Sequence, residues 1–293
     1  MREMSMRIAV LSDIHSNNVA LNACIEYIDD NEVDGIIFLG DNISDCPDPQ
    51  DTLSLIKQLD ERYQTWHING NREEYFIKHA DGEEPFNRWT YSSEKGSLLY
   101  TYENLTKEDI ECFRTRNNKE IVFINGTLPI TIAHGSPGLT RELLYANQEN
   151  TDKYLESLDT DYLLCGHSHK QFAYSKYGKL LINPGSVGVA IGVKEQAHMA
   201  MLEWNNEESV WKYQLLSIPY DFEKLCEIFY QSEIMEKAKL WPKLIMKSIE
   251  TGINYAPICA KAAYDLAVQA GETVGWFGIP EKYWQEAART ILF

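Results

Sequence analysis

Five apolar runs in this chain each end in residues that can bind a metal. Ile8-Ala9-Val10-Leu11-Ser12 runs into Asp13-Ile14-His15, and Ile36-Ile37-Phe38-Leu39 into Gly40-Asp41. Trp66-His67-Ile68 leads to Gly70-Asn71, Ile130-Thr131-Ile132-Ala133 to His134-Gly135, and Tyr162-Leu163-Leu164-Cys165 to Gly166-His167-Ser168-His169. Short unbroken apolar runs bounded by turn residues read as strands buried on both faces. Helical spacings separate the first three: Val19, Leu21, Cys24, Ile25 and Ile28, then Leu53, Ile56 and Leu59. The order β-α-β-α-β predicts a parallel sheet with right-handed crossovers. In such sheets ligands collect at the carboxyl ends of the strands, which is where these Asp, Asn and His residues fall.

The rest of the chain is mixed. Residues 72–118 are aromatic-rich and helical in pattern, an insertion beside the sheet. Residues 119–124 and 127–133, joined by Asn125-Gly126, read as a hairpin. A helix over 154–158 leads into the fifth run. Beyond it the pattern turns antiparallel over 171–175, 180–182, 197–204 and 210–217, with turns at Tyr177-Gly178 and Asn205-Asn206. From about Asp221 the spacing is helical, with Pro219 at the boundary. Residues 1–219 are therefore expected to form one domain and 220–293 a helical C-terminal extension.

Net charge is −17, so the surface repels polyanions and stable nucleic acid binding is not expected. An anionic substrate needs local positive charge, which divalent cations supply. Residues 1–7 hold no signal-peptide run, and no window approaches the roughly 18 apolar residues of a membrane span. Six scattered cysteines without a C-x-x-C pair fit reduced thiols in a cytoplasmic protein.

Asp13, His15, Asp41, Asn71, His134, His167 and His169 form a mixed oxygen and nitrogen set suited to first-row divalent metals. Seven ligands are too many for one ion with an open position. They suit two ions about 3.5–4 Å apart with a bridging carboxylate. His67, His79 and His198 read as structural. Trp89, Tyr91, Tyr100 and Tyr102, like Trp276, Phe277, Tyr283 and Trp284, read as packing residues, with stacking on a nucleobase as the other role. Lys78, Arg88 and Lys95 read as a solvated helix face.

In this order the motifs resemble those of the calcineurin-like metallophosphoesterase superfamily, over residues 7 to about 188. Ser12-Asp13-Ile14-His15-Ser16-Asn17, Gly40-Asp41, Gly70-Asn71, His134-Gly135 and Gly166-His167-Ser168-His169 match its five motifs. Asn183-Pro184-Gly185-Ser186-Val187-Gly188 and Pro47-Asp48-Pro49 resemble loops of its small prokaryotic phosphodiesterases. The resemblance implies an α/β (α+β) fold, a four-layer α-β-β-α sandwich, with the helical insertion and tail added. It implies one metal on Asp13, His15, Asp41 and His169, and another on Asp41, Asn71, His134 and His167. Manganese or iron is favoured; zinc, nickel and magnesium are the other candidates. Asn71, Arg72 and His134 become the catalytic candidates, and a metal-bridging hydroxide the nucleophile.

Arg72 stands where many relatives carry a histidine. Arginine cannot act as a general acid, but it can contact phosphate. That favours diesters or anhydrides with good leaving groups. The plainer role for Arg72 is a pair with Glu73 or Glu74 at a helix start. The function expected is hydrolysis of a small phosphorylated, nucleotide-like substrate as a phosphodiesterase. The alternatives are a dinucleoside polyphosphate hydrolase and a non-catalytic metal-binding scaffold.

Overall fold

The structure is a computed structural model and describes residues 6–275 and 278–292; Trp276 and Phe277 lie outside the described residues. The first part runs β1 (Arg7–Leu11), α1 (Asn18–Asp30), β2 (Gly35–Phe38), α2 (Pro49–Arg62), β3 (Gln64–His67). Helices α3 (Asn71–Ala80), α4 (Gly96–Glu103) and α5 (Lys107–Arg114) follow. Then come β4 (Lys119–Val122), β5 (Ile130–Ala133), α6 (Glu149–Ser157), β6 (Tyr162–Cys165), β7 (Phe172–Lys176), β8 (Lys179–Asn183), β9 (Gln196–Asn205) and β10 (Val210–Pro219). The chain ends in α7 (Phe222–Gln231), α8 (Ile234–Lys237), α9 (Trp241–Thr251), α10 (Tyr255–Gln269) and α11 (Glu281–Ile291).

Two five-stranded sheets form, in the orders β10-β9-β1-β2-β3 and β4-β5-β6-β8-β7. β1, β2 and β3 pair in parallel, as the β-α-β-α-β pattern predicts. The alternation along each strand shows the layering. Ile8 and Val10 of β1 face Ile130 and Ile132 of β5 and Leu164 of β6 in a core between the sheets. Ala9 and Leu11 point the other way, onto Leu21, Cys24 and Ile28 of α1. Leu163 and Cys165 of β6 point away from the first sheet, onto Leu155 of α6. The result is the four-layer α-β-β-α sandwich.

One pairing differs from the sequence expectation. β8 lies antiparallel to β7 but parallel to β6, so this region is not wholly antiparallel. The hairpin β4–β5 is antiparallel as expected, with shorter strands than predicted. The C-terminal helices pack as a cluster of their own around Leu225, Phe229, Leu244, Ala263 and Trp284. That cluster also takes in Val19, Cys46, Tyr100 and Val189 from the body, so the helices are seated on the sandwich. Among the described residues no helix is long and apolar enough to cross a membrane.

Candidate metal centre

The five strand ends meet. Two groups of side chains place their ligand atoms within 4.8 Å of one another: Asp13, His15 and His169, and beside them Asp41, His134 and His167. Asn71 opens α3 next to the second group and lines the same cavity. Sequence adjacency does not produce this. β1 and β2 lie side by side in one sheet, β5 and β6 in the other, and only the face-to-face packing of the sheets brings the motifs together.

The loops are held by backbone bonds between motifs. Asp13 N–H donates to Gly40 O and His15 N–H to Asp41 O, both at 3.0 Å. Gly166 N–H donates to His134 O at 2.7 Å. Glu73 accepts from the amides of Asp41, Asn42 and Gly70 at 2.8–2.9 Å, tying the second motif loop to the third. Ser186 hydroxyl donates to Asp13 O at 2.7 Å, so the Asn183–Gly188 loop braces the first motif. Five of the seven side chains stand on left-handed backbone: Asp13, His15, Asp41, His167 and His169 have φ of 51–62°. Each such residue costs roughly 1–3 kcal/mol. Asp and His tolerate it better than most, and the shared loop bonds hold it.

Most of these side chains have one polar atom committed to protein and one facing the centre. Asp13 Oδ2 accepts from Ser12 Oγ (2.5 Å) and His167 N (2.9 Å). Its Oδ1 is buried without a hydrogen-bond partner. Asp41 Oδ1 accepts from Arg72 N at 2.7 Å, so Oδ2 is left to face His134 (3.4 Å) and His15 (3.9 Å). The imidazoles follow the same rule, their outer nitrogens set by carbonyls or a carboxylate. His134 Nδ1 donates to Leu39 O (2.7 Å), His169 Nδ1 to Val189 O (2.9 Å) and His167 Nε2 to Arg141 O (3.2 Å). His15 Nδ1 lies 3.1 Å from Asp45 Oδ2.

These residues fit metal ions. With His169 Nδ1 donating to Val189 O and His15 Nδ1 set 3.1 Å from Asp45 Oδ2, the two Nε2 atoms stand 3.0 Å apart. That contact is repulsive unless a proton or cation lies between them. Asp13 Oδ1, Asn71 Oδ1 and His134 Nε2 are likewise buried and unpartnered. Asp13 Oδ1 stands 3.3 Å from His169 Nε2 and 3.7 Å from His15 Nε2. Ligands about 2.1 Å from one ion stand about 3.0–3.4 Å apart in octahedral or tetrahedral arrangement.

Without a cation, protons take part of that role. Burial opposes charging of His134, but the Asp41 and Asp13 carboxylates outweigh it and raise its pKa to about 10. His15 rises to about 9 in the same way, against burial, through Asp13 and Asp45. Burial would raise Asp41, yet the neighbouring His134 and His15 hold it at about 2. His167, pushed down to about 4 by burial and by His134, stays neutral. The centre is anionic at its heart and draws in positive charge.

Arg72 does not pair with Glu73 or Glu74. Its Nη2 donates to Asp45 Oδ2 at 2.9 Å, and its Nε lies 4.0 Å from Asp41 Oδ2. Glu73 is occupied by loop amides, and Glu74 accepts from Thr140 Oγ1 at 2.6 Å. Asp45 itself escaped the sequence reading. It follows no strand, and its signal was a second carboxylate four positions after Asp41. Trp241, whose Nε1 donates to Asp45 Oδ1 at 2.8 Å, and Arg141, which lines the cavity beside His167, were also missed. Neither belongs to a motif. The histidines read as structural lie away from the centre: His67 pairs with Asp60 and stacks on Phe38, and His79 stacks on Trp89.

A two-sheet sandwich gathering Asp, Asn and His at its strand ends is a frame for metal-dependent phosphoryl chemistry. The model of the calcineurin-like phosphoesterase superfamily domain matches residues 6–207, more than half of the chain, and the chain belongs to that superfamily. It is a metal-dependent phosphoesterase, of a family that works with divalent metals. An uncharacterized protein of Methanocaldococcus jannaschii, MJ0912, is 26% identical over 254 residues, covering 78% of this chain and 94% of that protein. Two crystal structures share the fold. The hypothetical protein PH1004 from Pyrococcus horikoshii OT3 superposes with a TM-score of 0.67 at 20% identity, over 82% of this chain and 97% of that one. A metallophosphoesterase from Sphaerobacter thermophilus gives 0.64 at 23% identity, over 85% and 100%.

Proposed function

We propose that the chain is a phosphodiesterase whose site holds two divalent cations, manganese or iron first. One sits on Asp13, His15, Asp41 and His169, the other on Asp41, Asn71, His134 and His167. The observation that carries this reading is the position of Asp41. Its Oδ2 faces a histidine of each group, while Arg72 N occupies its Oδ1. Asp41 would therefore have Oδ2 to offer to the cations. Two cations so placed would acidify a water and neutralise charge on the phosphoryl oxygens.

The chain's own groups do the rest. Arg72 and Arg141 border the cavity and can donate to the non-bridging phosphate oxygens. Hydrolysis adds water across one P–O ester bond: the hydroxyl goes to phosphorus and the proton to the departing oxygen. Arg72 supplies no proton, which favours leaving groups that need none. This supports diesters over simple monoesters and keeps phosphoanhydrides as the second reading. All seven positions carry ligating residues and lie close together, which argues against a non-catalytic metal-binding scaffold role. Free cysteines at all six positions support a cytoplasmic setting.

Asp41→Asn is the direct test. With manganese and bis-(4-nitrophenyl) phosphate, the folded variant is expected to bind less metal and to lose at least about 100-fold in rate. A folded variant with full metal-dependent turnover overturns the assignment. Faster release of mononucleotides from a dinucleoside polyphosphate than of nitrophenol from the diester would favour the anhydride reading.

A further inference from the structure

The proposed phosphoryl site opens into a cavity of about 460 Å³, within the size range of pockets that enclose small organic ligands. Its two ends differ in chemistry. One is ionic, with Arg72 and Arg141 beside the histidines. The other is a wall from the C-terminal segment: Trp241, Ile245, Ala256, Ala260 and Trp284 on α9, α10 and α11, with Ile279 just before α11. Inorganic phosphate gains nothing from such a wall, because apolar surface favours only apolar partners.

Trp241 joins the two ends. Its indole N–H bonds Asp45 Oδ1, while Asp45 Oδ2 bonds the Arg72 guanidinium. One carboxylate thus separates the cation from the ring, which puts Trp241 within reach of the substituent of a phosphoryl group held by Arg72. Behind it stands Trp284, with ring centroids 6.3 Å apart. Trp284 is 1% exposed, and its Nε1 has no hydrogen-bond partner among the described residues. A buried donor left in this way is costly, and Trp284 belongs to the cavity lining, so an acceptor on a bound ligand would relieve that cost if it reached the indole N–H. Asn254 adds an amide to the same lining.

We propose that the C-terminal helices form the substituent pocket of the site, and that it takes a phosphoester whose organic arm is of nucleoside type: planar, apolar on its faces, with acceptor atoms on its edge. The proposal rests on the phosphoesterase reading for the position of the phosphoryl group, and not on which bond is cleaved.

The test uses the manganese-loaded full chain and its intrinsic tryptophan fluorescence. Adenosine 5′-monophosphate is expected to bind at least about tenfold more tightly than ribose 5-phosphate, the scale on which an apolar pocket discriminates. Ala260→Phe, which narrows the wall, is expected to collapse that ratio toward one. Where that variant does not fold, Ile279→Ala, which removes part of the wall, is expected to lower the ratio. Equal binding of the two phosphates by the wild type overturns the proposal, as does an unchanged ratio in a folded wall variant. A parallel assay compares thymidine 5′-(4-nitrophenyl phosphate) with methyl 4-nitrophenyl phosphate, and the nucleoside ester is expected to be the better substrate by a similar factor. If neither ester turns over while the nucleotide preference and its loss on Ala260→Phe hold, the pocket stands and the phosphodiesterase reading falls.

Discussion

Asp45 serves four partners with one carboxylate. Oδ2 meets His15 Nδ1 and Arg72 Nη2, and Oδ1 accepts from the Trp241 indole and, at 3.4 Å, the Ser97 hydroxyl. Burial works against its charge, but Arg72 and His15 hold it ionised, well below the usual carboxylate range. Asp45→Asn keeps the shape and removes the charge, leaving His15 less firmly oriented. Partners that orient a ligand are worth about 10–100-fold in metal affinity, so calorimetric titration with manganese is expected to show a loss of that order. Unchanged affinity and stoichiometry would remove Asp45 from this role. The seven candidate positions could be picked out in the sequence because each follows a short apolar run that forms a strand, although β3, before Asn71, is only partly buried. Asp45, Trp241 and Arg141 were not, because they act through packing between distant segments, and a single chain records no such distances.

At the level of elements, the motif loops work because glycines let them touch. A Cβ built on Gly70 falls 2.2 Å from Asp41 Oδ1, and one on Gly166 falls 1.9 Å from Ser12 Oγ. Gly70 has an ordinary φ of −93°, so its role is space rather than backbone freedom. Gly70→Ala is expected to push the Asp41 carboxylate aside and cut metal binding and turnover together, while circular dichroism stays that of the folded protein. Retained metal stoichiometry in that variant would count against the close approach. The β-α-β-α-β opening was readable because its apolar spacing switches between the strand and helix periods. The parallel pairing of β8 with β6 was not, because a short strand such as Leu180–Ile182 looks the same beside either neighbour.

For the whole molecule, acid is the condition to watch. His198 on β9 is 3% exposed, and burial lowers its pKa from 6.5 to about 4. As pH falls below about 6.5 the unfolded chain takes a proton that the folded chain refuses. Stability is therefore full above that pH, declines down to about pH 4 and then levels, by roughly 3 kcal/mol for this group. Urea unfolding in the presence of a chelator, so that metal release does not contribute, is expected to show a shallower pH dependence for His198→Gln than for the wild type. Equal slopes would exclude the buried imidazole as a source of acid sensitivity.

The bond from Trp241 to Asp45 also sets an order of assembly. A ribosome makes Asp13 and His15 first, then Asp41 and Asp45, and His169 well over a hundred residues later. α9 follows only after both sheets have been synthesised, and Trp284 comes later still. The nascent chain therefore carries a bare acidic loop before it has either the last histidine or the helices that steady that loop. A chain interrupted before α9 lacks both the Trp241 bond and the wall of the cavity.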